Sequence, residues 1–260
     1  MKQLEFENSV YRTKPKKISL FSKLFPSLTF YSDFLAIVFK SSKLAKKGEY
    51  DNEAWVEASY KVLRALEKKG AIFEITGIEH LQKLDSPCVI IGNHMSMMET
   101  IVMASIVQPI LDVTFIVKQG LLDYPVFKYI MRSRDPIAVT RTNPRQDLKA
   151  VLEGGLERIQ KGISIIVFPQ TTRTTNFDPK QFSTIGVKLA QKADVPIIPL
   201  ALKTDAWGNG KWLKDFGKID PTKKVKFAFG APIPAKQKGS EAHEAVKDFI
   251  ISKLKEWEKE

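Results

Sequence analysis

The feature that most limits the fold is an alternation. From residue 72 onward, short apolar runs rich in β-branched residues take turns with longer stretches of helical periodicity. Strands are predicted near residues 72–75, 88–91, 113–117, 137–139, 163–168, 197–202 and 225–229. Helices are predicted near 97–107, 124–132, 145–161, 183–193 and 241–258. Parallel neighbours need a crossover that a helix supplies, so this order predicts an α/β fold with a mixed, largely parallel sheet flanked by helices. A further helix over 51–69 sets Trp55, Val56, Ala58, Val62, Leu63 and Leu66 at amphipathic spacing and ends at Gly70. The stretch from Thr204 to Thr222 has no period and reads as a long loop, in which Trp207 and Trp212 either meet a membrane interface or cover the sheet.

With 260 residues, 43% of them hydrophobic and 27% charged, the chain is globular and long enough to bury a core without disulfides or metals. Its one cysteine, Cys88, excludes an internal disulfide and any Cys-x-x-Cys site. The net charge of +12 is unevenly spread. Residues 12–47 hold nine bases and a single acid, Asp33, around the apolar, aromatic run from Leu24 to Phe39. As a helix those 16 residues reach about 24 Å, short of the ~20 apolar residues that normally span a bilayer. Basic flanks beside an aromatic stretch suit the headgroup region of an anionic bilayer. The expectation is therefore an N-terminal helical membrane-anchoring segment, residues 1–50, followed by one α/β domain, residues 51–260. A peripheral or monotopic location on the cytoplasmic face follows. Bases and aromatics lie in separate blocks, so no nucleic-acid partner is expected.

The chain lacks a Gly-x-Ser-x-Gly elbow, a phosphate-binding Gly-x-x-x-x-Gly-Lys-Ser/Thr loop and a His-Glu-x-x-His helix. No metal site is expected from its three scattered histidines. His80 falls in a short polar connection, and His243 is expected to face solvent on a charged helix. His94 differs, because it follows the apolar run Pro87–Asn93 at the carboxyl edge of a predicted strand, where α/β folds place ligands. Ser96 and Glu99 form the Ser-x-x-Glu pattern of a capping box. Glu99 then either caps a helix or, with the chain turned back at Ser96, also orients the His94 ring as a base.

These residues carry a resemblance. Asn93-His94-x-x-x-x-Glu99 resembles the Asn-His-x-x-x-x-Asp block of the glycerolipid (1-acylglycerol-3-phosphate, or lysophosphatidic acid) acyltransferases. Further blocks follow in the same order: Phe115-Ile116-Val117-Lys118 with Tyr124-Pro125-Val126-Phe127, then Pro136 to Arg141, Phe168-Pro169-Gln170-Thr171-Thr172-Arg173-Thr174, Val195 to Leu200, and Phe229 to Ile233. Three departures stand out. Glu99 replaces Asp, Gln170-Thr171 replaces Glu-Gly, and the residues before Arg141 lack the usual glycine and aromatic pattern.

The resemblance implies transfer of a fatty acyl group from acyl-CoA or acyl-acyl carrier protein to the hydroxyl of lysophosphatidic acid, with no cofactor. It implies His94 as general base, Glu99 as its orienting partner, and Arg141 and Arg173 as phosphate ligands with Lys118 as a third charge. Thr171 and Thr172 are candidates for oxyanion or phosphate contacts, and Asn93 and Ser96 support the helix start. The departures motivate two alternatives, another lysolipid, aminolipid or glycolipid acceptor, and a non-catalytic membrane-binding protein on the same scaffold.

Overall fold

The computed structural model describes residues 3–260. Residues 1 and 2 of the expected anchoring segment lie outside the described residues. The elements run β1 (Tyr11–Arg12), α1 (Leu20–Leu24), α2 (Pro26–Lys46), α3 (Asn52–Lys68), β2 (Ile72–Thr76), α4 (Glu79–Gln82), β3 (Val89–Gly92) and α5 (Met98–Val107). They continue with β4 (Val113–Lys118), α6 (Phe127–Arg132), β5 (Ile137–Val139), α7 (Pro144–Gln160), β6 (Ser164–Val167), α8 (Ile185–Ala193), β7 (Ile197–Lys203), β8 (Lys224–Phe229) and α9 (Gly239–Glu258).

The strands form one eight-stranded sheet in the order β1-β2-β8-β7-β3-β6-β4-β5. Only β1–β2 and β7–β8 pair antiparallel among the described residues, so the sheet is mixed and largely parallel, as the alternation predicts. The central strands β3 and β6 are buried along their whole length, which explains why they read as unbroken apolar runs. Helices α2, α3, α5 and α6 pack on one face of the sheet and α7, α8 and α9 on the other. Gly186 lets α8 approach β3, since a Cβ there would lie 2.8 Å from Ile91 Cδ1.

This arrangement makes a crevice. The chain leaving β3 turns into α5 on the first face, whereas the chain leaving its neighbour β6 leads to α8 on the second. Adjacent strands whose connections diverge open a gap beyond their carboxyl ends, where open α/β sheets bind ligands.

The N-terminal aromatic run divides between core and surface. Pro26 starts α2 at a position where its missing N–H is harmless, and Phe30, Phe34 and Val38 recur every fourth residue on its inner face. Phe30 and Phe34 are fully buried, with ring centroids 4.8 and 5.1 Å from Trp207. Leu24, Phe25, Leu28, Leu35 and Phe39 are exposed. No helix among the described residues is long and apolar enough to cross a membrane.

Two local expectations are corrected. His243 is buried rather than solvent-facing, because it shares the apolar stripe of α9 with Val246 and Ile250 and stacks on Phe182 at 5.8 Å. The helix predicted over 124–132 begins only at Phe127, since Val126 takes a left-handed φ of 69° just after Pro125. His80 lies in the connection from β2 to β3, which is helical there as the four-residue α4.

Candidate active site

The site starts where β3 ends. Asn93 is buried and extends the pairing of β3 with β7 by side chain: its Nδ2 donates to Leu202 O at 2.9 Å and its Oδ1 accepts from Leu202 N at 2.8 Å. This two-bond clasp fixes the direction in which the next residue leaves the sheet; it ties Asn93 to β7 rather than to the start of α5.

His94 Nδ1 then lies 2.9 Å from Glu99 Oε1. The same oxygen accepts the amides of Met95 and Ser96 at 2.7 and 2.8 Å, so Glu99 folds back over the turn and absorbs its extra methylene there. Oε2 accepts from Ser96 Oγ at 2.9 Å and Thr204 Oγ1 at 2.6 Å. The capping pattern is realised only in part. Glu99 reaches the Ser96 amide, but Ser96 Oγ accepts from Met98 N, at 3.0 Å, rather than from Glu99 N, and α5 begins at Met98.

Burial alone would raise the Glu99 carboxyl pKa. Hydrogen bonds from His94, Thr204 and the Ser96 amide, with the charge of His94, outweigh it and hold the carboxyl below its ordinary value. An ionised carboxylate only accepts, so Nδ1 is the nitrogen that donates to Glu99, and in the neutral ring Nε2 is left as the acceptor. Glu99 is fully buried, while 14% of the His94 side chain remains exposed.

The turn after β6 forms the other wall. Phe168 stacks on the imidazole with centroids 4.8 Å apart and planes 8° from parallel. Gln170, buried, accepts the His94 amide at 2.6 Å, and Thr174 N donates to His94 O at 3.0 Å. The Gln170 substitution therefore leaves a neutral amide pinning the two turns together. Sequence reasoning missed Phe168, Gln170 and Thr204 as site residues. For Thr204 the available signal was its position just beyond Lys203, the residue that ends the largely apolar β7.

The basic candidates gather at the same edge. Lys118 ends β4, exposed, and Arg141 follows β5 with a left-handed φ of 63°. That strain is held by Asp147 in the first turn of α7, which accepts the amides of Thr140 and Arg141, both at 2.7 Å. Arg141 donates to Thr171 O, which links the turns after β5 and β6. Burial and the nearby charge of Arg173 push the Arg141 guanidinium below its ordinary pKa, with Asp147 opposing. Arg173 Nη2 donates to Asp215 Oδ1 at 2.5 Å. Thr171 and Thr172 are exposed on the same turn. No group of three or more potential His, Cys, Asp or Glu metal ligands occurs among the described residues.

The arrangement is an imidazole anchored through one nitrogen at a sheet edge that also carries Lys118, Arg141 and Arg173. A model of the Acyltransferase family matches residues 72–203, from β2 to the end of β7. The chain belongs to that family. It is 32% identical over 151 residues to the 1-acyl-sn-glycerol-3-phosphate acyltransferase of Pseudomonas aeruginosa, a match covering 58% of this chain and 57% of that protein. It is 30% identical over 138 residues to the chloroplastic 1-acyl-sn-glycerol-3-phosphate acyltransferase BAT2 of Brassica napus, over 53% of this chain and 38% of that one. These matches thus span little more than half of one relative and less of the other. The crystal structure of the 1-acyl-sn-glycerophosphate (LPA) acyltransferase PlsC from Thermotoga maritima superposes with a TM-score of 0.65, covering 91% of this chain and 96% of that one at 22% identity. At that identity the likeness establishes the shared fold.

Proposed function

We propose that the protein transfers a fatty acyl group from an acyl thioester, acyl-CoA or acyl-acyl carrier protein, to the free hydroxyl of lysophosphatidic acid, giving phosphatidic acid. The observation that carries this reading is the His94 ring, fixed through Nδ1 on Glu99 with Nε2 free at the mouth of the crevice. Family membership and the names of the relatives support it.

In this mechanism His94 Nε2 takes the proton of the acceptor hydroxyl as its oxygen attacks the thioester carbonyl. The tetrahedral intermediate collapses, the C–S bond breaks, and the imidazolium returns the proton to the leaving thiolate. Glu99 holds the ring in one tautomer and stabilises its transient positive charge. General-base help of this kind contributes about 10²–10⁴ in rate. Arg141 and Arg173 bind the acceptor phosphate, since their forked donors match its oxygens, and Lys118 adds a third charge. Thr171, Thr172 and the amides of their turn are the candidates for contacts to the oxyanion or the phosphate.

The acceptor and product are amphiphiles, and the protein's surface is suited to them. Leu20, Phe21, Leu24, Phe25 and Leu28 are exposed beside Lys17 and Lys23, and the long loop carries exposed Trp212 and Leu213 among Lys211, Lys214 and Lys218. That loop is tied to α2 by Tyr31 Oη donating to Gly217 O at 2.5 Å and Ile219 N donating to Ser27 Oγ at 2.9 Å. We read this rim as a peripheral contact with anionic lipid on the cytoplasmic face, with residues 1–50 supplying much of it and residues 51–260 the chemistry.

The test of the acceptor assignment is steady-state kinetics in mixed micelles with Arg173→Ala. A rise in the KM for lysophosphatidic acid much larger than that for the donor supports the reading. Equal effects on both count against it.

A further inference from the structure

Arg173 already has an anion. Asp215 Oδ1 accepts from its Nη2 at 2.5 Å, 42 residues along the chain and from a different loop. Asp215 belongs to a closed loop whose ends are pinned: Trp207 and Ile219 form an antiparallel bridge, Gly208 N donates to Lys218 O at 2.9 Å, and Trp207 is fully buried. Trp207 Nε1 holds Asp215 O at 3.1 Å, and Asn209 Nδ2 donates to Met95 O at 2.9 Å, so this loop touches both the arginine and the His94 turn. Asp215 is the only acid between Gly208 and Lys218, a stretch with lysines at 211, 214 and 218.

We propose that Asp215 is an internal competitor for the phosphate-binding arginine: its carboxylate neutralises Arg173 until a phosphate monoester displaces it. The proposal rests on the reading of Arg173 as an acceptor ligand and adds a residue that sets how strongly that site takes an anion. Two features make displacement feasible. The pair is not sealed from solvent, its side chains being 18% and 25% exposed, so an entering anion can reach the guanidinium. A phosphate monoester offers more charge and three oxygens against one carboxylate. Once released, Asp215 stays beside Lys214 and close in sequence to Lys211 and Lys218, so its charge is not stranded. The consequence is a threshold: an anion must outbid Asp215 before Arg173 grips it.

The experiment measures binding of sn-glycerol 3-phosphate, and separately inorganic phosphate, by titration calorimetry to the full chain. Wild type, Asp215→Asn, Asp215→Glu, Arg173→Ala and the double variant Arg173→Ala/Asp215→Asn are compared. Asp215→Asn keeps an oxygen for Arg173 while removing the charge. It is expected to bind glycerol 3-phosphate about 3–10-fold more tightly, with Asp215→Glu near wild type. In the Arg173→Ala background the Asn substitution is expected to change nothing. Tightening for glycerol 3-phosphate but not for inorganic phosphate assigns the site to the ester headgroup, and tightening for both assigns it to phosphate in general. Unchanged or weaker binding by Asp215→Asn overturns the proposal. If Arg173→Ala binds as wild type does, the acceptor assignment itself fails and the proposal with it. If Arg173→Ala weakens binding and Asp215→Asn does not tighten it, only the competitor role fails. Acrylamide quenching of Trp212, which is 96% exposed, reports whether the loop keeps its shape in each variant.

Discussion

Thr204 Oγ1 stands 2.6 Å from Glu99 Oε2, joining residues 105 apart in the chain. Through this contact the end of β7 helps to satisfy a fully buried carboxylate that also receives His94, Ser96 and the Met95 amide. The His94 ring and its turn are thus held from both sides, from the end of β7 through Thr204 and from the turn after β6 through Gln170.

Replacing Thr204 with Val keeps the shape and removes the donor. A buried charged acceptor that loses a partner costs about 1–3 kcal/mol. The sign with pH follows from the depressed Glu99 pKa. A carboxyl depressed on folding contributes stability that is complete above its unfolded value, ~4.3, and is lost as pH falls through the folded value. Urea unfolding of wild type and Thr204→Val is therefore expected to differ most at neutral pH and to converge on acidification below that range. A gap that stays constant down to acid pH contradicts the role of Thr204 as a donor to the charged form.

Helix α2 predicts a separation of stability from surface binding. Phe34→Ala empties a fully buried site and is expected to cost about 3–5 kcal/mol in chemical denaturation. Phe25→Ala and Leu28→Ala alter exposed side chains and are expected to shift stability by about 0.5 kcal/mol or less. The same two variants are expected to weaken co-sedimentation with anionic vesicles. Unimpaired vesicle binding in both would remove the α1–α2 rim from the membrane reading.

His243 gives a second pH signature. Burial, with Lys247 adding, lowers its pKa, while Glu244 and the backbone of Phe182 oppose. Its depressed value makes the neutral ring the folded form, so its contribution is complete above the unfolded value, ~6.5, and is lost as pH falls through the lower folded one. His243→Phe is expected to flatten the loss of thermal stability between neutral and mildly acid pH. An identical slope in variant and wild type would show that His243 does not supply it.

How much of this was legible in the sequence varies by element. The strands were readable because β3, β6 and β7 are buried on both faces and so appear as unbroken apolar runs. The two-residue β1 carries no such signal: its place beside β2 depends on contacts between distant residues, Tyr11 and Thr13 with the buried Glu67, Arg12 with Glu74, and Thr13 with Phe73. The His94–Glu99 contact was open as one of two readings; the structure brings the two side chains together, with one carboxylate oxygen meeting both the ring and the amides of the turn. Phe168 and Thr204 were not found because their partners lie on other strands. Likewise no spacing rule separates Phe30 and Phe34, which face the core, from Phe25 and Phe39, which do not, until Trp207 is known to sit beneath α2.

The most direct measurement of the central claim is acyl transfer to lysophosphatidic acid by purified wild type and His94→Ala, with acyl-CoA and acyl-acyl carrier protein as donors. The account predicts turnover by the wild type with at least one donor, a fall of about 10²–10⁴ in kcat for the variant, and little change in acceptor binding. Transfer by His94→Ala at the wild-type rate, or none by the wild type with either donor, would contradict it.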